Sequence, residues 1–125
     1  GKEFIIFNYD ALEMYRSVYI CEGALNALTI GDRGIATMGK AISGYQVNEL
    51  LKSSCERFII LLDPDAKKYA INLALKLVAY KKVKVVFLPE GKDVNDLGRK
   101  ETLRLVYQTR YQSYQDLIQI RNSLE

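Results

Sequence analysis

Four short apolar runs recur along the chain: Val18 to Cys21, Ile35 to Met38, Arg57 to Leu62 and Val83 to Leu88. Each is rich in β-branched or aromatic residues and too short for a core helix, so each predicts a strand. Their near-continuous apolar character predicts cover on both faces, as in a parallel sheet. Between them the apolar positions fall at helical spacing. Ala24–Ile30 predicts a short helix, and Gly44–Lys52 sets Val47, Leu50 and Leu51 on one face. The clearest segment is Ala66–Tyr80, where Ala66, Tyr69, Ala70, Leu73, Ala74, Leu77 and Val78 follow the i, i+3, i+4 rule, with Lys67, Lys68 and Lys76 mainly off the stripe. Helical segments at about Asn95–Gln108 and Tyr111–Leu124 close the chain. At its start, Glu3–Phe7 predicts an extra strand and Ala11–Tyr15 a short helix. Strand and helix in alternation predict an α/β, Rossmann-like fold of right-handed βαβ units: a mainly parallel four-stranded sheet flanked by helices, with a C-terminal helical tail. The expected division is a lead-in over 1–17, a core over 18–98 and a helical extension over 99–125.

Length and composition narrow the chemistry. A chain of 125 residues suits one domain, 49% apolar residues supply a core, and 26% charged residues match an ordinary soluble globule. No window approaches the roughly 18 apolar residues of a membrane span. The first apolar stretch, Phe4 to Phe7, is too short for a signal peptide. There are two cysteines and no histidine. That excludes a disulfide scaffold, a zinc site built on His, and every mechanism that uses Ser-His, Cys-His or His-metal. Cys21 and Cys55 sit in or beside apolar strand-like runs and read as buried free thiols, which suits a reducing, cytosolic setting. Catalysis, where there is any, runs on carboxylates, lysines or bound metal. Residues 1–66 hold 6 Lys+Arg against 9 Asp+Glu, whereas residues 67–125 hold 12 against 6. The split fits an acidic site beside a basic surface that attracts a polyanion; it also fits solvated, Lys-rich helix faces. The chain begins Gly1-Lys2 without a methionine, which predicts a piece of something longer.

In an open α/β sheet, ligands collect beyond the carboxyl ends of the strands. There the sequence places Glu22-Gly23 after the first run, Asp63-Pro64-Asp65 after the third, and Gly91-Lys92-Asp93 with Asn95 and Asp96 after the fourth. Like charges crowded at one sheet edge repel unless protonated or bridged by a cation. A divalent ion is the economical counter-ion, and an all-oxygen donor set favours Mg²⁺ or Mn²⁺. Asp-Pro-Asp alone also reads as a turn with Asp65 capping the helix that follows. Lys67, Lys68, Lys92 and Arg99 lie beside the acids in sequence and are placed to steer a nucleic-acid backbone or a nucleoside triphosphate, with a solvated first turn as the other reading for Lys67 and Lys68. Lys40, after Gly39, is a weaker candidate of the same kind. Gly31-Asp32-Arg33-Gly34 reads as a helix-to-strand turn, since it lacks the Gly-Lys-Ser/Thr ending of a phosphate loop. Tyr107, Tyr111 and Tyr114 fit a helical packing seam. Leu117, Ile118, Ile120 and Leu124 dock the tail on this domain or on a neighbour.

The order of hydrophobic strand, Glu22-Gly23, helix with Ala27-Leu28, Gly39, then strand and Asp63-Pro64-Asp65 resembles the Toprim domain. That domain is the metal-binding catalytic unit shared by bacterial-type primases, type IA and type II topoisomerases, certain nucleases and recombination-mediator proteins. The resemblance runs from about Val18 to Leu97. Within the family it leans to primases and phage primase-helicases, through Phe7 to Leu12, Ala36-Thr37-Met38-Gly39 and Leu88 to Asp93. It implies that Glu22 acts in general acid/base work or metal binding, that Asp63 and Asp65 hold Mg²⁺, and that Asp93 is a further metal-binding acid at the rim. Three departures stand out. Asn26 occupies a position where primases often have aspartate. Ala66-Lys67-Lys68-Tyr69 replaces a small, glycine-containing turn. In the final loop Asn95 replaces an acid, with Asp96 displaced by one.

The resemblance implies Mg²⁺-dependent nucleotidyl transfer, namely RNA primer synthesis on a single-stranded DNA template from nucleoside triphosphates. The implied partners are a replicative helicase or other domains of the same polypeptide, in the cytoplasm of a bacterium or encoded by a phage, with no membrane. The isolated chain is expected to bind metal and make little primer. A Toprim nuclease or topoisomerase piece, and a non-catalytic nucleic-acid or protein binding module, are the alternatives.

Overall fold

The computed structural model describes residues 1–125 and contains a single parallel sheet. Its strands are β1 (Ser17–Cys21), β2 (Gly34–Ala36), β3 (Arg57–Ile60) and β4 (Lys82–Val85), in the order β2-β1-β3-β4. All three pairings are parallel, with Ile20 opposite both Ile35 and Ile60, and Ile60 opposite Val85. The helices are α1 (Ala11–Met14), α2 (Ala24–Ile30), α3 (Gly44–Lys52), α4 (Lys67–Leu77), α5 (Val94–Leu97), α6 (Arg99–Gln108) and α7 (Tyr114–Ser123). No helix is long and apolar enough to cross a membrane. This is the α/β, mainly parallel, four-stranded architecture that the apolar runs predict.

Two apolar layers sandwich the sheet, because alternate strand residues point to opposite faces. Val18, Ile20, Phe58, Ile60, Val83 and Val85 pack with Leu50 of α3 and Ala70, Leu73, Ala74 and Leu77 of α4. Cys21, Ala36, Ile59, Leu61 and Val86 pack with Ala27 and Ile30 of α2, Val94 of α5 and Val106 of α6. The tail docks on its own domain: Leu117 of α7 is fully buried in the first layer, with Ile120 and Leu124 against it. At the open edge of β4, Gln112 acts as a short strand. Its N–H donates to the Val83 carbonyl, its side-chain oxygen accepts from the Val85 N–H and its amide donates to the Val85 carbonyl. Covering an edge in this way removes a template for unwanted pairing.

Several predicted elements differ. Glu3–Phe7 is no strand: Lys2–Phe4 forms a 3₁₀ turn, and only Phe7 pairs, antiparallel to Ala36. The Ile5 carbonyl is taken instead by the Gln46 side chain at 2.7 Å, and the chain turns away at Asn8, whose φ is 60°. The regular ladders of β3 and β4 stop at Ile60 and Val85, although Leu61, Leu62, Val86 and Leu88 stay buried beyond them. β2 ends at Ala36, ahead of Met38, which adopts the left-handed region at φ 67°. The helix predicted at Ala66 begins as a 3₁₀ turn over Pro64–Ala66. Asn95–Gln108 is broken into α5 and α6 at Gly98, where φ is 82°. Tyr107, Tyr111 and Tyr114 do not enter the core; all three are exposed.

Candidate metal centre

With β2 on one side of β1 and β3 on the other, the chain reverses its winding direction between β1 and β3. The crevice at the carboxyl ends of those two strands is where such sheets bind ligands. Glu22 directly follows β1, and Asp63 and Asp65 follow β3. One carboxylate oxygen from each of Glu22, Asp63 and Asp65 lies within 4.8 Å of the others. The cap reading of Asp-Pro-Asp fails on its geometry: neither the Pro64–Ala66 turn nor α4 receives a side-chain cap hydrogen bond. Neither carboxylate is therefore spent on capping a helix.

The trio is electrostatically uncomfortable by itself. Glu22 Oε1 is buried and has no hydrogen-bond partner. Burial, then the charges of Asp63 and Asp65, push the Glu22 carboxyl above its ordinary range. Burial, then Asp93 and Asp65, do the same to Asp63. Burial and the Asp63 charge lift the Cys21 thiol to about 12, so this free cysteine stays protonated. An orphaned buried carboxylate oxygen facing two more carboxylates is the environment a hard cation relieves, and the all-oxygen donor set fits Mg²⁺ or Mn²⁺.

These shifts carry a pH consequence. The unfolded chain loses the Glu22 and Asp63 protons near the ordinary 4.5 and 3.8, whereas the fold holds them to higher pH. Between those limits the folded state binds more protons, so this contribution to stability is complete below the ordinary values and is lost as pH rises through the raised ones. In EDTA, the melting temperature of Asp63→Asn is expected to gain on that of the unaltered chain as pH goes from about 4 to about 7. A gap that is constant across the range contradicts the shifts.

Asp93 lies at the rim. It lines, with Asp63, Asp65, Glu90 and Asp96, a cavity of about 350 Å³ that borders the close trio. Its Oδ1 accepts from the Asp96 N–H as the cap of α5, in a reciprocal capping box. Lys67 reaches the same rim, 3.3 Å from Glu90. Lys68 and Lys92 are exposed nearby in the chain. Arg99 is not brought to the carboxylates: its Nε donates to the Ile30 carbonyl, at the opposite end of α2 from Glu22.

Two residues matter more than their sequence signal suggests. Lys40 Nζ stands 2.7 Å from Asp65 Oδ2, a built-in counter-cation. The loop that carries it is tied down where the Met38 N–H donates to the Glu22 carbonyl. Asn26, 7% exposed, donates from Nδ2 to Asp63 Oδ1 at 3.4 Å and accepts the Asn95 N–H at 3.1 Å. It joins α2, the Asp63 loop and α5, and it orients Asp63 without adding a further negative charge.

Comparisons with known proteins bear on the family and the fold. A family model described as Toprim-like matches residues 19–98. The chain is 27% identical over 112 residues to a DNA primase of Lactococcus lactis subsp. lactis (strain IL1403), covering 82% of this chain and 17% of that protein. Among solved structures, the E. coli primase catalytic core superposes with a TM-score of 0.74 at 17% identity, over 99% of this chain and 44% of that one. A DnaG primase catalytic domain bound to ssDNA gives 0.74 at 18% identity, over 99% and 43%. The chain thus spans under a fifth of that primase and under half of each of these catalytic domains.

Proposed function

The chain belongs to the Toprim-like family, and from that membership we propose that it supplies the Mg²⁺-dependent nucleotidyl-transfer site of a DNA primase. The observation that carries the proposal is the close carboxylate trio at the switch point of the sheet, with one buried oxygen of Glu22 unpartnered. The 27% identity to a DNA primase directs the choice among Toprim activities.

In this reading Glu22, Asp63 and Asp65 hold the divalent ion, and Asp93 extends the acidic rim. A divalent ion held by these carboxylates would supply charge neutralisation for phosphate oxygens in nucleotidyl transfer. The protein's own contribution is placement. Asn26 fixes the Asp63 carboxylate, Lys40 holds Asp65, and Lys67, Lys68 and Lys92 draw a nucleoside triphosphate or a strand toward the rim. Arg99 has no part in this site. The substrates are ribonucleoside triphosphates on a single-stranded DNA template, and the chain works beside other segments of a longer primase, which also meet the helicase.

The test is ribonucleotide incorporation on single-stranded DNA by a primase that contains this chain. Incorporation is expected to require Mg²⁺ or Mn²⁺ and to be lost in Asp63→Asn/Asp65→Asn. Metal-dependent DNA cleavage without ribonucleotides would replace the proposal with a nuclease. An unchanged rate in the double variant would remove the site altogether.

A further inference from the structure

At the opposite pole of the sheet, the face packed against α2, α5 and α6 ends in rows that carry polar and basic side chains. The register sets Ser17, Arg57 and Lys82 side by side in one row, and Tyr19, Ile59 and Lys84 in the next. Arg57 Nε donates to Ser17 Oγ at 2.7 Å. Lys84, 7% exposed, is held by the carbonyls of Val106 and Thr109. Lys82 and Lys84 both approach the Tyr111 ring, at 5.7 and 4.8 Å from its centroid. Alongside is a cavity of about 340 Å³ whose walls include Tyr15, Tyr19, Arg33, Arg99 and Tyr107, with Asp32 as its one acid. Arg33 lies 4.9 Å from the Tyr15 ring centroid, and Tyr107 is 77% exposed.

Lys40, Lys52, Lys67 and Arg104 each pair with a carboxylate, and none of them lies on this face. Arg33, Arg57, Lys82 and Arg99 form no ion pair. Unneutralised cations interleaved with tyrosines suit a strand whose phosphates take the charges while its bases stack on the rings. A protein partner is the poorer match, because the centres of protein interfaces are depleted of charge and of lysine in particular. We propose that this pole is a single-stranded nucleic-acid binding surface, separate from the carboxylate site. The two poles are a strand's length apart, roughly 15 Å at about 3.3 Å per residue. The surface needs no divalent ion, so it stands or falls apart from the metal reading.

The test is fluorescence anisotropy of the 125-residue chain with a labelled oligo-dT in EDTA. Binding is expected without metal, and to survive Asp63→Asn. Tyr107→Ala is expected to weaken it about 5- to 100-fold. Arg33→Glu/Lys82→Glu is expected to abolish most of it, and Lys82→Ala to flatten the salt slope by about 0.7. Lys76→Glu/Arg121→Glu, with the same change in net charge away from the surface, is expected to stay within about twofold, since the local arrangement and not total charge sets the affinity. Equal loss in the two double-charge variants overturns the proposal. So does binding that vanishes in EDTA. Unchanged binding in Tyr107→Ala and Arg33→Glu/Lys82→Glu also overturns it and leaves the face to a protein partner.

Discussion

Glu22→Gln is expected to move two measurements in opposite directions. In a primase that contains this chain, ribonucleotide incorporation should fall on the order of 10²–10³-fold, the scale seen when one charge-stabilising group is removed from a preorganised site. In the metal-free chain, melting temperature at neutral pH should rise. Glu22 carries a buried, unpartnered carboxylate oxygen among Asp63 and Asp65, and both burial and those two charges oppose its ionisation. Glutamine keeps the shape, removes the charge and offers the neighbouring carboxylates an N–H donor. Functional sites commonly hold such stability in reserve. Thermal melts in EDTA and in Mn²⁺ separate the terms: the variant should melt higher than the unaltered chain in EDTA, and its gain on adding Mn²⁺ should shrink. A variant that melts lower in EDTA and keeps the full Mn²⁺ gain would show that Glu22 serves the packing instead of the ion.

Much of this arrangement is legible before any coordinates. Apolar runs report burial, and burial locates four strands; strand ends then locate Glu22, Asp63 and Asp65. What such runs do not report is where backbone pairing stops. Leu61, Leu62, Val86 and Leu88 are as buried as the strands they follow, so the predicted strands overran. Phe4 and Ile5 are apolar but exposed, and the carbonyl that a strand partner would need is taken by Gln46, far along the chain. Lys40 and Arg99 show the same limit for charge. Lys40 finds Asp65 across 25 positions, whereas Arg99, only six positions from Asp93, is drawn away to the end of α2. Proximity in sequence ranked those two in the wrong order, because the fold and not the chain sets the distances. The tyrosines repeat the lesson: helical spacing suggested a seam, yet Tyr107 faces solvent beside unpaired cations.

Gly34→Ala is expected to damage both the fold and the site, although it adds a single methyl group at least 12 positions from Glu22, Asp63 and Asp65 in sequence. A Cβ on Gly34 would collide with the carbonyl oxygen of Ala27, and would lie 2.9 Å from its carbonyl carbon and 3.0 Å from its Cα. Those atoms are helix backbone, so no rotamer change relieves the contact and α2 itself must move off β2. Overpacking of this kind typically costs about 1–3 kcal/mol. For a chain of this size that corresponds to a melting temperature lower by roughly 5–15 °C. The shift does not stay local, because Asn26, one residue before Ala27, spans to Asp63 and to the start of α5. Mn²⁺ affinity should therefore fall together with stability, with Glu22, Asp63 and Asp65 all untouched. Gly44→Ala supplies the contrast. Nothing lies within 4 Å of a Cβ there, and the residue opens α3, so the change should be neutral or slightly stabilising. If Gly34→Ala melts within a degree or two of the unaltered chain and binds Mn²⁺ equally well, then α2 does not rest on β2 as closely as described, and the strut from Asn26 to Asp63 has no role in shaping the site.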